Sequence, residues 1–264
     1  MNYGAGEQIV DIEDPLTWPG ALCNVLTNSK DVLSDYEARM REVDRIPGER
    51  FRFPKSEIAD GRRKVVERAN VFVAAARILG FHCTRLLPYE AESVRQEGLK
   101  LSSPEFLRDR IERAVKEDHL PRALADALLE KNQADDPNRL GMVGFVNARS
   151  LLKNVSCVHR FFESWGGEGL YNSHEDDHIT GPVLKQIGEP HVVVAALPAK
   201  ALHTGSELGE YFINAFLRSI GLRTKGYAEF ESYVTKPVSK EQILAVIGSS
   251  DWRFTLLTGD ALCG

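Results

Sequence analysis

Four cysteines in 264 residues are few. Cys23, Cys83, Cys157 and Cys263 are also scattered, with no Cys-x-x-Cys pair. A chain this long does not depend on a disulfide framework, and such sparse thiols fit a reducing compartment. Long apolar runs are missing as well, since nothing approaches the ~20 consecutive apolar residues of a membrane span. The opening MNYGAGEQIVDIEDPLTWPG has no basic stretch followed by an apolar core, and the closing DALCG does not fit a prenylation box. The expectation is a cytoplasmic protein that does not engage a membrane. Positive charge is not in excess either: 33 Lys and Arg against 38 Asp and Glu give a net charge of −5. That argues against a surface coated for nucleic acid, though a local basic groove stays open. No Gly-x-Gly-x-x-Gly follows a strand, so any dinucleotide is not bound by a doubly wound fold. Repeats and low-complexity tracts are absent too.

What is present suffices for a folded core. Hydrophobic residues make up 43% and charged residues 27%, and the length suits one large domain or two small ones. Residues 1–50 read as an irregular start with one charge-laced helix from about Asp35, ended by Pro47-Gly48. A helical pattern runs from Ser56 to about Asn70. The period then changes, and Ala74 to Thr84 read as strand. After Pro88 comes a short helix with Val94 on its buried face and Gly98 as its C-cap. Ser103 and Pro104 mark the cap and first position of the next helix, with a partner helix from about Pro121 to Asn132. A strand is expected around Met142–Val146 and a helix from Ser156 to Trp165. Residues 166–182, polar and Gly-rich, read as loop or strand end. HVVVAALP, at 191–198, is the clearest buried strand. LGEYFINAFLRSIG reads as a helix closed by Gly221, YAEFESYVTKPV as a strand, KEQILAVIG as a helix and WRFTLL as a final strand. This order gives an α+β fold, with helices inserted between the strands of a mixed sheet.

Two blocks carry candidate chemistry. In the first, Phe81-His82-Cys83-Thr84 ends a strand, and the following helix closes Glu92-Ser93-Val94-Arg95-Gln96-Glu97-Gly98-Leu99. Alternate residues of a strand face one way, so His82 and Thr84 project together. Arg85 would point the other way. In the second, Glu229-Phe230-Glu231-Ser232-Tyr233-Val234 is followed by a Pro-containing turn and Ile243.

With these blocks the chain resembles the ADP-ribosyltransferase superfamily, which includes DarT-like nucleic-acid modifiers, poly-ADP-ribose polymerases and RNA 2′-phosphotransferases. The family's first strand ends His-x-Thr, and its next helix reads Ile-x-x-x-Gly-Leu; Val94 stands here for Ile. The resemblance spans Ala74 to Ile247. It implies a mostly antiparallel split sheet in residues 71–264, with residues 1–70 as a mostly helical extension. It implies NAD as substrate, held by His82, Cys83 and Thr84, and Glu231 as the catalytic residue, with Glu229 as its rival on the same strand face. Gly169-Leu170-Tyr171 is similar to a strand of the polymerase branch in which Tyr stacks on nicotinamide, so Tyr171 is a candidate for that role. The Phe-Ala and Ser-x-x-Tyr that go with it there do not follow here. The implied activity is transfer of ADP-ribose to a protein, RNA or DNA acceptor. The family also suggests a toxin or phage-defence role, with an inhibitory partner protein.

Two other readings stand beside this one. His174-Glu175-Asp176-Asp177-His178 matches His-Glu-x-x-His, which on a helix would make a zinc hydrolase, although this segment lacks the apolar face such a helix needs. A non-catalytic interaction module on a degenerate transferase-like fold is the other, because fold does not imply function.

Overall fold

A computed structural model describes residues 8–45, 57–224 and 230–259. Along the chain run β1 (Ile9–Val10), α1 (Gly20–Asn28), α2 (Lys30–Asp44), α3 (Glu57–Val73), β2 (Arg77–Leu86) and α4 (Pro88–Glu97). Next come α5 (Pro104–Lys116), α6 (Arg122–Glu130), β3 (Val143–Val146), α7 (Arg149–Leu152), α8 (Val155–Glu163), α9 (Glu168–His174) and α10 (Thr180–Gln186). The remainder holds β4 (Glu189–Pro198), β5 (His203–Thr204), α11 (Leu208–Ser219), β6 (Glu231–Val234), β7 (Ile243–Gly248) and α12 (Trp252–Thr258). The strands form an open sheet in the order β5-β6-β3-β2-β4-β7, with β1 parallel to the start of β2. β2 and β3 are antiparallel, with Phe81 opposite Val146, and so are β4 and β7, with His191 opposite Gly248. The fold is therefore α+β, built on an antiparallel sheet with helices between the strands. None of the described helices is long and apolar enough to cross a membrane.

The chain divides into two compact units. One joins the described residues through Leu79 to those from Pro198 through Glu231; the other holds Gly80–Leu197 and the residues from Ser232 onward. In the first unit α11 packs on α2 and α3. A Cβ at Gly209 would meet the Val66 carbonyl oxygen at 2.6 Å, so only glycine lets α11 approach α3 this closely. The Gly209 N–H donates to Asn70 Oδ1 at 2.7 Å, which satisfies one of the unpaired amides at the start of α11.

The second unit owes its stability to apolar burial. Leu107, Ile111 and Ala114 of α5 pack with Ala125 and Leu128 of α6 and with Trp165, Leu170 and Leu184. α5 starts where its cap places it: Ser103 Oγ accepts from the Phe106 N–H at 3.1 Å, and Pro104 takes the first position. α4 stops at Gly98, whose φ of 91° suits glycine. β4 is buried from His191 to Leu197, as its apolar run predicts.

Four expectations fail. KEQILAVIG is not a helix: a 3-10 turn at Lys240–Gln242 leads into β7, whose Ile243, Val246 and Ile247 suit a strand that β4 can pair. WRFTLL is not a strand but α12, because the Asp251 side chain accepts the Arg253 N–H and caps a helix that buries Phe254 and Thr258 four residues apart. Residues 166–182 are not loop; they hold α9 and the start of α10, entered through Gly166 and Gly167 at positive φ. The N-terminal region has two helices, α1 and α2, and a short strand rather than one helix. Pro47-Gly48 lies outside the described residues.

Candidate functional site

His82 sits in β2, beside β3 in the sheet. Its Nδ1 lies 2.9 Å from the Gly144 carbonyl oxygen of β3. A carbonyl only accepts, so Nδ1 carries the proton and Nε2 is left with its lone pair. Nε2 has no hydrogen-bond partner among the described residues. The residue is half-buried, and its ring packs 5.9 Å from the Phe145 ring centroid. Desolvation by these neighbours pulls the imidazole pKa below its ordinary value. The hydrogen bond to Gly144 opposes this shift, and the positive charge of Arg110 adds to it. At neutral pH His82 is thus an uncharged acceptor of fixed orientation.

Arg110 is itself held. Its Nε donates to Glu90 Oε1 at 2.7 Å, and Glu90 Oε2 accepts from Trp165 Nε1 and from the Leu87 N–H, each at 2.9 Å. Burial alone would raise the Glu90 pKa, but the Arg110 charge and these hydrogen bonds outweigh it and hold the carboxyl below its ordinary value. Nothing in the sequence marks this cluster, since its members come from α4, α5 and the segment after α8.

The other candidates on β2 are more enclosed. Cys83 is 7% exposed, and burial pushes its thiol pKa up, which makes it an inert packing residue. Thr84 is 8% exposed. Arg85 donates to the carbonyls of Ile187, Phe162 and Gly188 at 2.8–3.0 Å, so it fastens the chain ahead of β4 rather than facing a ligand.

The two blocks singled out in the sequence meet. Leu99 and Val238 exchange backbone hydrogen bonds, Leu99 N–H to Val238 O at 2.8 Å and Val238 N–H to Leu99 O at 2.9 Å. A Cβ at Gly98 would lie 1.9 Å from the Val238 oxygen. The Gly of the Gly-Leu pair is therefore required both by its positive φ and by this contact. A second link joins β3 to β6: Ser232 Oγ donates to Asn147 Oδ1 at 2.6 Å, with both residues buried. No local pattern in the sequence signals it. Glu231 opens β6 and is exposed. Glu229 lies outside the described residues.

Tyr171 stands apart from this strand cluster. It is on α9, only 2% exposed, with Phe161 edge-on at 6.1 Å and the Arg160 guanidinium 4.3 Å above its ring. Burial pushes its hydroxyl pKa up, with Glu168 adding to the shift. The expected loop that would present it to nicotinamide is a helix that turns it into the core. His174, Glu175 and His178 do not share a helix face either, because α9 ends at His174 and the next two lie in the turn before α10. His174 contacts Thr180 Oγ1 through Nδ1 and the Lys131 carbonyl through Nε2, and Glu175 pairs with Arg160. Among the described residues no three His, Cys, Asp or Glu side chains gather as a metal site. No family model matches the chain, and comparison with curated proteins and with solved structures gives no significant match.

Proposed function

We propose that the protein transfers ADP-ribose from NAD to a macromolecular acceptor. One observation carries this reading: the two blocks that resemble the transferases, far apart in sequence, are hydrogen-bonded to each other at Leu99 and Val238. The state of His82 supports the same reading, since a neutral imidazole with an open Nε2 is suited to accept a hydrogen bond from a ribose hydroxyl.

In the reaction the bond between ribose C1′ and the nicotinamide nitrogen breaks, and nicotinamide leaves with the bonding pair. Positive charge develops on the ribose, as in glycoside cleavage. The acceptor's nucleophilic atom forms the new bond to C1′, while the Glu231 carboxylate stabilises the charge and takes the proton that this atom loses. Backbone at the end of β2, near Thr84, lies against the nicotinamide end, while Tyr171 stays in the core. Protein, RNA and DNA are the acceptor classes. A toxin or phage-defence role, restrained by an inhibitory partner, follows from the family likeness alone.

Calorimetric titration with NAD tests the binding half. Wild type should bind NAD, and His82→Ala should bind about tenfold more weakly, the worth of one hydrogen bond of about 1.4 kcal/mol. No heat of binding from folded wild type would overturn the reading.

A further inference from the structure

We propose that Asn147 and Ser232 are positioning residues for Glu231, an inference that rests on the transferase reading above. Asn147 directly follows β3 and is wholly buried; Ser232 is 6% exposed. Their side chains meet in one short hydrogen bond of 2.6 Å, donated by the serine hydroxyl. Glu231 is the residue immediately before Ser232, and β6 alternates exposed, buried, exposed, buried from Glu231 to Val234. Neighbours on a strand point to opposite faces, so whatever holds the Ser232 hydroxyl inward holds the Glu231 carboxylate outward.

Stability alone gives little reason for this pair. A buried neutral hydrogen bond contributes only about 1 kcal/mol net. Register is what it supplies. β6 is four residues long, and a slip by one residue would bury Glu231 and expose Ser232. Phe230 and Val234, on the inward face with Ser232, oppose a one-residue slip by their burial, but being apolar they carry no directional preference. Asn147 offers a single acceptor at one depth and selects one register. The reacting carboxylate is thereby fixed by a contact on the opposite face of its own strand, away from substrate.

The test measures kcat and KM for nicotinamide release, with melting temperature, for wild type, Asn147→Ala, Ser232→Ala, the double variant and Ser232→Thr. Loss of alignment should lower kcat by about 10- to 100-fold. KM for NAD should stay within about twofold, because ground-state binding is untouched. The double variant should be no worse than the poorer single variant, and Ser232→Thr, which keeps the donor, should retain most of the activity. Should the alanine variants fail to fold, Ser232→Cys against Ser232→Thr decides the matter: the weak thiol donor should lower kcat and the threonine should not. Unchanged kcat in the variants of an active enzyme overturns the positioning role alone. So does a fall in kcat, KM and melting temperature together that threonine does not rescue. A wild type that neither binds NAD nor releases nicotinamide overturns the transferase reading and this inference with it.

Discussion

His82 and His174 begin alike and end differently. Each places Nδ1 2.9 Å from an oxygen, the Gly144 carbonyl for His82 and the Thr180 hydroxyl for His174. His174 also commits Nε2, to the Lys131 carbonyl, and is 3% exposed. Its ring ties the end of α9 to the start of α10 and to the residue after α6. His82 is half-buried, leaves Nε2 without a partner among the described residues, and lies in the strand whose following helix meets the second motif block. Burial and a single hydrogen bond do not separate a working histidine from a structural one. Under the proposed transferase reading, the open second nitrogen is what would make His82 a ligand-binding residue.

The contrast is sharpest in paired alanine variants. His82→Ala should cut nicotinamide release about 100-fold, the scale for removing one oriented group from an active site, while far-ultraviolet circular dichroism stays that of wild type. His174→Ala should leave release per folded molecule unchanged. It should instead cost about 1–3 kcal/mol in denaturant unfolding, because the Lys131 carbonyl and the Thr180 hydroxyl lose a buried partner. Equal loss of turnover in the two variants would break the comparison.

A smaller effect lies in pH. Below its ordinary value near 6.5 an unshifted imidazole would be protonated, and Nε2 could no longer accept. Because the His82 pKa is lowered, the neutral ring persists to more acid pH, and the acid limb of NAD binding should lie below 6.5. A midpoint at or above 6.5 would contradict this. Stability also responds to acid. Glu90 is held below its ordinary value of 4.5, so its contribution is complete above 4.5 and is lost as pH falls through the lower folded-state value. His82 itself works against the fold below 6.5, where the unfolded chain takes up its proton more readily, so circular dichroism on the binding samples should be read alongside to separate loss of binding from loss of the fold.

Much of the fold was legible where one physical signal dominated. The apolar run of β4 and the Ser103-Pro104 cap of α5 each permit one local structure, and both form. Misreadings came where two signals competed. Ser239 and Gln242 make a capping box, which reads as a helix start, yet the run behind it is apolar throughout and its period cannot tell helix from strand. Pairing with β4 settles it as β7. In WRFTLL the aromatic content suggests a strand, while the decisive residue is the preceding Asp251 cap. For the site, the sequence pointed to His82 and to the Gly98-Leu99 turn, because both leave local marks. The Asn147–Ser232 bond and the Glu90–Arg110–Trp165 cluster leave none, since each is a meeting of distant segments whose members look like ordinary polar residues. Tyr171 shows the opposite case: a motif likeness suggested an open ring, and the packing of α9 closed it.

The most direct test of the central claim is nicotinamide release from NAD by wild type and by Glu231→Gln, with NAD binding measured on the same samples. The account predicts release by wild type, and binding without detectable release by the variant, a loss of about 1000-fold or more for removing the charge that stabilises the transition state. Release by Glu231→Gln at the wild-type rate would contradict it.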